Sequence, residues 1–264
     1  MKELARTQRE DIYERGYTVL PAVVPRPRVD AALRAINMSV GDNGLDPDEL
    51  PIFRMDSFCP ELERSEAILD LLYETPLWDV AQAAIGHGKV LPIRSGQIAL
   101  RFPSDDSTPA VPHIDGLYTA PFRVASGRGP VRPLPGAPRD DATPKVRNFT
   151  ALAGVYLSDV PRADSGNLTV WPGSHRRYEM HFRQHGPASL YEGMPRVALE
   201  PAVQLTAQAG DAVLCHYQLG HGIAPNLSPY IRYAVYFRLY REGHEEVVWR
   251  CMADIWCEWD GVAP

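Results

Sequence analysis

The sequence has few of the features that mark secreted or membrane proteins. Only four of its 264 residues are cysteine, and no two of these form a CxxC pair. We therefore expect free thiols in a reducing, cytoplasmic environment. No apolar run approaches the ~20 residues that span a bilayer. The charged start of the chain lacks the apolar core of a signal peptide, so we expect neither secretion nor a membrane partner.

Positive charge is also in short supply. The net charge is −6, which disfavours binding to nucleic acid or to an anionic membrane. The sequence shows no internal repeat, phosphate-binding loop, Rossmann glycine pattern or Ser-His-Asp order. Nothing in it indicates an obligatory protein partner. The remaining expectation is a globular protein that acts on a small molecule.

Proline is abundant, with 25 residues, and it favours short strands and loops over long helices. We predict a single domain over 1–264, with a helical N-terminal part (1–89) that packs on a sheet. Many short strands with turns between them follow in 90–250, and a β-rich tail is predicted near Val247–Trp249. This order predicts a mainly β fold with flanking helices, built on a two-sheet jelly-roll core.

The first chemical motif is His113-Ile114-Asp115. Side chains two positions apart on an extended segment point to the same side, so this pair can bind one metal ion. Two histidines and one carboxylate suit non-haem Fe(II) with open positions for reactants. An isolated His-x-Asp occurs often by chance, and the alternative is an ordinary strand end.

A third ligand is expected on a late strand, where a jelly roll returns beside the first motif. His221 lies between two glycines that allow close approach of the backbone. His216 is the competing candidate, but it follows an apolar strand and is better explained as a buried histidine. His181 and His185 lie four apart without the glutamate of a zinc protease, and we predict that both are exposed.

Arg232 follows His221 by eleven positions and begins an apolar strand. A buried guanidinium needs an anion, and its planar donors match a carboxylate. From the residues alone, an internal salt bridge to Asp or Glu and a carboxylate co-substrate both remain possible.

Several segments together resemble the phytanoyl-CoA dioxygenase family of Fe(II)/2-oxoglutarate oxygenases, which have a double-stranded β-helix. They are the His113-x-Asp115 motif, Gly166–His175, Gly210–Leu214, His221–Ser228 with Arg232, and Gly16–Pro21 before a helix. The resemblance implies Fe(II), 2-oxoglutarate and O2 as cofactor and co-substrates.

The resemblance also implies roles for individual residues. The iron ligands would be His113, Asp115 and His221, and Arg232 would bind the distal carboxylate of 2-oxoglutarate. Gln97 and Tyr118 would lie near the co-substrate. The family often has a small hydroxyl residue two positions after the late histidine, where this chain has isoleucine.

The implied reaction is hydroxylation, or a related oxidation such as desaturation or ring closure, of a small molecule of the kind made in bacterial secondary metabolism. Succinate and CO2 would be released. Halogenation is disfavoured, because halogenases of this class replace the carboxylate ligand with a small residue and here Asp115 is present. The alternative is a cupin-like protein that binds a metal or a ligand without 2-oxoglutarate.

The segment 119–147 follows Asp115 closely and has six basic residues against two acidic ones. Loops longer than about 12–15 residues are usually functional or disordered. We expect a lid over the metal in which Arg123 and Arg128 select an anionic or strongly polar substrate. A solvated, proline-rich surface loop is the alternative.

Overall fold

A computed structural model of the chain describes residues 3–45, 57–115, 117–118, 145–146 and 148–262. The helices are α1 (Arg6–Arg15), α2 (Arg26–Asn43), α3 (Glu66–Tyr73), α4 (Pro76–Ile85), α5 (Ser174–His185), α6 (His244–Val247) and α7 (Arg250–Ala253). The strands are β1 (Tyr17–Leu20), β2 (Gln97–Arg101), β3 (Leu117–Tyr118), β4 (Lys145–Val146), β5 (Ala151–Tyr156), β6 (Leu168–Val170), β7 (Val203–Gln204), β8 (Ala212–His216), β9 (His221–Ile223) and β10 (Arg232–Leu239).

The predicted N-terminal helices are present, and local chemistry explains where they begin and end. α1 ends at Gly16, which has a φ of 85° and donates its amide hydrogen to the carbonyl of Ile12. α3 stops before Thr75, whose hydroxyl oxygen accepts a hydrogen bond from the amide of Leu77. Pro76 then starts α4, because proline needs no hydrogen-bond partner in the first turn.

Five strands form the main antiparallel sheet, in the order β1-β8-β5-β10-β2. Side chains alternate between its two faces. The outer face, with Ile98, Val155 and Val235, packs with the N-terminal helices in one apolar core. β1 lies within the N-terminal part of the chain but forms one edge of this sheet, and Trp259 near the C-terminus lies in the same core.

A smaller sheet, in the order β7-β6-β9, faces the inner side of the main sheet. Leu168 and Val170 from β6 share a second apolar core with Leu152, Tyr156 and other inner-face residues of the main sheet. Two antiparallel sheets packed face to face are the jelly-roll architecture that the strand pattern predicts.

The prediction of a β-rich tail near Val247–Trp249 is wrong. The chain forms α6 and α7 there, separated by Val248 and Trp249. Valine and tryptophan favour strands, but the two short helices bury His244 and, seven and eight residues later, Cys251 and Met252. Tertiary burial therefore overrides the local β preference.

None of the helices in the described part of the chain has both the length and the apolar character needed to cross a membrane.

Candidate metal centre

The two sheets bring the first motif and the late histidine into direct contact. The backbone amide of His113 donates to the carbonyl of His221 at 3.0 Å, and the reverse bond has the same length. The pair forms an isolated antiparallel bridge beside β9. Asp115 follows two positions later in a bend. A late strand thus returns beside the His-x-Asp motif, as the sequence predicts.

The donor atoms of His113, Asp115 and His221 fit a single metal ion. Oδ1 of Asp115 lies 3.6 Å from Nε2 of each histidine, and the three donors lie within 4.8 Å of one another. Two ligand atoms about 2.1 Å from one ion, at angles of roughly 90–120°, are separated by about 3.0–3.6 Å. The side chain of His113 is 36% exposed and that of His221 only 12%, so the site opens toward solvent on the His113 side.

Neighbouring groups orient the donors. Nδ1 of His221 lies 2.9 Å from the carbonyl oxygen of Leu219 and donates to it, so in the neutral ring the proton is on Nδ1 and Nε2 is the atom that can bind a metal. Burial by itself raises the pKa of Asp115, but His113, His221 and the charge of Arg238 together bring that pKa well below its usual value. The carboxylate is therefore ionised, as metal binding requires.

Arg238 is the residue of this site that the sequence prediction missed. Its Nη2 donates to Oδ2 of Asp115 at 2.8 Å, and its Nη1 donates to Oε1 of Gln97 at 2.9 Å. One sequence feature could have pointed to Arg238: it lies six residues after Arg232 on the same strand, so the two side chains share a face. Gln97 was predicted near the co-substrate, and the structure places it against this arginine.

Arg232 lies on the inner face of β10, with only 3% of the residue exposed. Nε donates to the carbonyl of Gly166 at 2.9 Å and Nη1 to the carbonyl of Ala99 at 3.0 Å. Among the described residues, no carboxylate lies within ion-pair distance of Arg232. The alternative of an internal salt bridge therefore finds no partner in this part of the chain.

Two buried tyrosines lie beside Arg232 on the same inner face. Tyr156 pairs in register with Ala234, and Tyr236 follows two residues later on β10. Neither hydroxyl has a hydrogen-bond partner among the described residues. Burial raises the pKa of Tyr236, and it raises that of Tyr156 well above its usual value, so both phenols are neutral donors. Their position suits an anionic ligand held by Arg232.

Three predicted residues are described only in part or not at all. Tyr118 lies in β3, which pairs with β4, and β4 follows residues 119–144 in the sequence. Arg123 and Arg128 lie outside the described residues, as does most of the predicted lid.

The other histidines do not join the three donors. Nε2 of His216 donates to the carbonyl of Ile255 and its Nδ1 accepts from the amide of Gln218, both at 2.9 Å. Burial lowers its pKa to about 4, so it is a neutral, fully hydrogen-bonded core residue, as predicted. His185 is exposed as predicted, whereas His181 is half-buried.

A second buried group of possible ligands, His244, Cys251 and Glu258, has a different geometry. Nδ1 of His244 lies 2.9 Å from both carboxylate oxygens of Glu258. A ring nitrogen aimed between two oxygens at hydrogen-bond distance leaves no room for an ion. Nε2 lies 3.1 Å from the carbonyl oxygen of Asn148. We interpret this group as a hydrogen-bonded anchor for the C-terminal helices.

The close approach at Gly222 yields a testable prediction. A Cβ at this position would lie 2.9 Å from the carbonyl oxygen of Val111, so Gly222→Ala must displace the segment that leads to His113. We expect a stability loss of about 1–3 kcal/mol and weaker Fe(II) binding, measured by thermal unfolding and metal titration. Gly220→Ala is the matched control, because its Cβ meets only side chains, at 3.2 Å or more. Equal metal affinity in the two variants would contradict the prediction.

Comparison with known protein families finds one family model that matches this chain. A sequence model of the family described as Phytanoyl-CoA dioxygenase (PhyH) matches residues 130–234. The resemblance to this family is confirmed. The PhyH match includes His221 and Arg232 but begins after Asp115, so the place of His113 and Asp115 in the site is supported by the geometry alone. No curated protein matches the chain in sequence.

Solved structures with the same fold include several non-haem enzymes. The alpha-ketoglutarate-dependent carbocyclase SnoK from nogalamycin biosynthesis is 20% identical, with a TM-score of 0.56 over 91% of this chain and 85% of its own. HygX from Streptomyces hygroscopicus, with nickel and 2-oxoglutarate bound, is 18% identical, with a TM-score of 0.58 over 90% and 88%. The epimerase SnoN is 19% identical, with a TM-score of 0.54 over 88% and 81%.

These likenesses confirm the predicted jelly-roll fold class. HygX has also been solved with iron bound, so the expected metal and keto acid are both found in structures of this fold. At identities of 18–20% the comparison establishes the fold and leaves the reaction open, since the neighbours include both a carbocyclase and an epimerase.

Proposed function

We propose that this protein is an Fe(II)- and 2-oxoglutarate-dependent oxygenase that oxidises a small molecule. The proposal is supported most directly by one arrangement: a three-donor metal site and a buried arginine without a carboxylate partner among the described residues share one interior. Two histidines and a carboxylate suit Fe(II) with open positions. A keto acid with a second, distal carboxylate satisfies the metal at one end and Arg232 at the other.

In this proposal His113, Asp115 and His221 hold the iron, and Arg232 binds the distal carboxylate. The hydroxyl groups of Tyr156 and Tyr236 donate further hydrogen bonds to the co-substrate. They take the place of the small hydroxyl residue that the family often has where this chain has Ile223. When bound, Fe(II) with 2-oxoglutarate and O2 supplies the oxidising chemistry, with succinate and CO2 as products. The protein contributes ligation, orientation and an apolar interior lined by residues such as Leu168 and Val170.

The proposed substrate is a small polar or anionic molecule that enters on the exposed His113 side. HygX, which has this fold, has been solved with hygromycin B bound, so the fold accommodates a small molecule in that protein. For this chain the support is the excess of basic residues in 119–147, including Arg123 and Arg128. These arginines are proposed to contact the substrate from a lid.

The proposal is tested by adding Fe(II) and 2-oxoglutarate to the metal-free protein without oxygen. A weak visible charge-transfer band of the iron–keto acid chelate is expected, and admission of O2 should then release succinate. Zn(II) in place of Fe(II) is the control and should give neither signal. Iron binding without the band or succinate would favour the cupin-like alternative that uses no keto acid. A panel of small molecules, ranked by stimulated succinate release, would then identify the substrate.

We further expect no halogenated product from the unmodified enzyme, even with chloride in excess. Asp115 occupies the ligand position that a halide would need, and its Oδ2 is held by Arg238. Mass spectrometry of the product should show an added oxygen atom or the loss of two hydrogens, with no added chlorine. A chlorinated product would overturn this prediction.

A further inference from the structure

The two oxygens of the Asp115 carboxylate have separate surroundings. Oδ1 faces Nε2 of both histidines at 3.6 Å, whereas Oδ2 accepts a hydrogen bond from Arg238 at 2.8 Å. A charge-assisted bond of this length is strong and directional. The carboxylate is therefore held in one rotation, with a single oxygen turned toward the metal position.

Arg238 is itself held in place. It lies on β10, which pairs with β2 as far as Tyr236 and with β5 at Arg238 itself, opposite Leu152. Gln97 on β2 accepts a hydrogen bond from Nη1 at 2.9 Å. The guanidinium lies 5.6 Å from the centroid of the Phe149 ring. Groups on paired strands are positioned more accurately than groups on loops, so this arginine can impose its geometry on Asp115, which lies in a bend.

We propose that Arg238 is a positioning residue that keeps Asp115 a ligand through one oxygen only, with Gln97 fixing the arginine. This inference rests on the proposed function. A carboxylate can bind a metal through one or both oxygens. If Oδ2 were free to turn, it would compete for the coordination positions that the keto acid needs. Arg238 therefore preserves the open side of the metal without touching the metal itself.

The test uses Co(II) in place of iron, because its visible spectrum reports coordination number and needs no turnover. Arg238→Met should alter the Co(II) spectrum and weaken 2-oxoglutarate binding to the Co(II)-loaded protein by about tenfold or more, the usual scale for outer-shell partners of metal ligands. Arg238→Lys retains the charge but cannot bridge Gln97 and Asp115 with a planar fork, so it should recover only part.

Arg241→Met is the matched control. Arg241 also forms an ion pair with an aspartate, Asp260, but away from the metal donors. The Arg241→Met protein should lose some thermal stability while keeping the wild-type Co(II) spectrum and 2-oxoglutarate affinity. A purely structural role for Arg238 predicts the same pattern for Arg238→Met, and that result would overturn the proposal.

Gln97→Leu provides a second variant if Arg238→Met fails to fold. It leaves the arginine in place but removes the acceptor that orients it, so the spectrum should shift in the same direction to a smaller extent. An unchanged spectrum and affinity in this variant would count against the proposal. Failure of the wild-type protein to bind Co(II) would instead contradict the proposed function, so the two failures are distinguishable.

Discussion

Replacing any one of His113, Asp115 and His221 with alanine should abolish Fe(II)-dependent turnover of 2-oxoglutarate. Each supplies one of the three donors that the described residues bring together, all within 4.8 Å of one another. Loss of an outer-shell partner of a metal ligand already costs about 10–100-fold in metal affinity or activity, so loss of a ligand should cost more. Iron content after desalting and succinate release measure the two consequences separately.

His216→Ala is the control for this experiment. His216 is buried and stacks on Trp259 at a centroid distance of 5.2 Å, but it lies outside the three-donor group. Its loss leaves a cavity and two unpaired backbone groups, which should cost roughly 2–4 kcal/mol of unfolding free energy while iron binding is retained. If His216→Ala lost iron and His221→Ala kept it, the ligand assignment would be wrong.

Arg232→Ala should weaken 2-oxoglutarate binding to the metal-loaded protein by about 30-fold or more. Removing one partner of a desolvated charge pair costs on the order of 2–5 kcal/mol. Arg232→Lys should restore only part of the affinity, since an ammonium cannot form two parallel bonds to a carboxylate. Titration of the visible chelate band under anaerobic conditions measures this affinity directly.

Arg232 also has a structural role, which its variants would disturb. The side chain also donates to the carbonyls of Gly166 and Ala99, which lie on different sides of the interior. Thermal unfolding must therefore be measured for each variant, to separate a loss of packing from a loss of anion binding. Arg162→Ala is the control, because Arg162 is exposed and lines, together with Arg232, a cavity at the surface. Unchanged 2-oxoglutarate affinity in folded Arg232→Ala would contradict the proposed role.

Local patterns were sufficient to predict most of the secondary structure. The helix ending at Gly16, the break before Pro76 and the strands around Ala153 and Val235 all follow from periodicity and from the positions of glycine and proline. The prediction for the tail failed because Val247, Val248 and Trp249 have strand propensity, whereas the chain forms two short helices that bury His244 and Cys251. Propensity is a local property, and burial there depends on distant residues.

The metal site shows the same division between features that follow from local sequence and features that depend on distant residues. His113 and Asp115 could be proposed as ligands because they are close in sequence, and His221 because its glycines mark a close approach of backbones. The contact of Arg238 with Asp115 could not be predicted, since 123 positions separate them. It exists because β10 lies between β5 and β2 in the main sheet and directs every second side chain into the interior.

By itself, the sequence determined most of the element types, the jelly-roll pattern and the donor chemistry of histidine, aspartate and arginine. The tertiary structure decided which donors meet: it pairs His113 with His221, isolates His216 in the outer packing, and places Arg232 and Arg238 along one inner face. The physical reason is that strand order and register are set by which faces can be buried together. That choice depends on the whole chain, so no local segment encodes it.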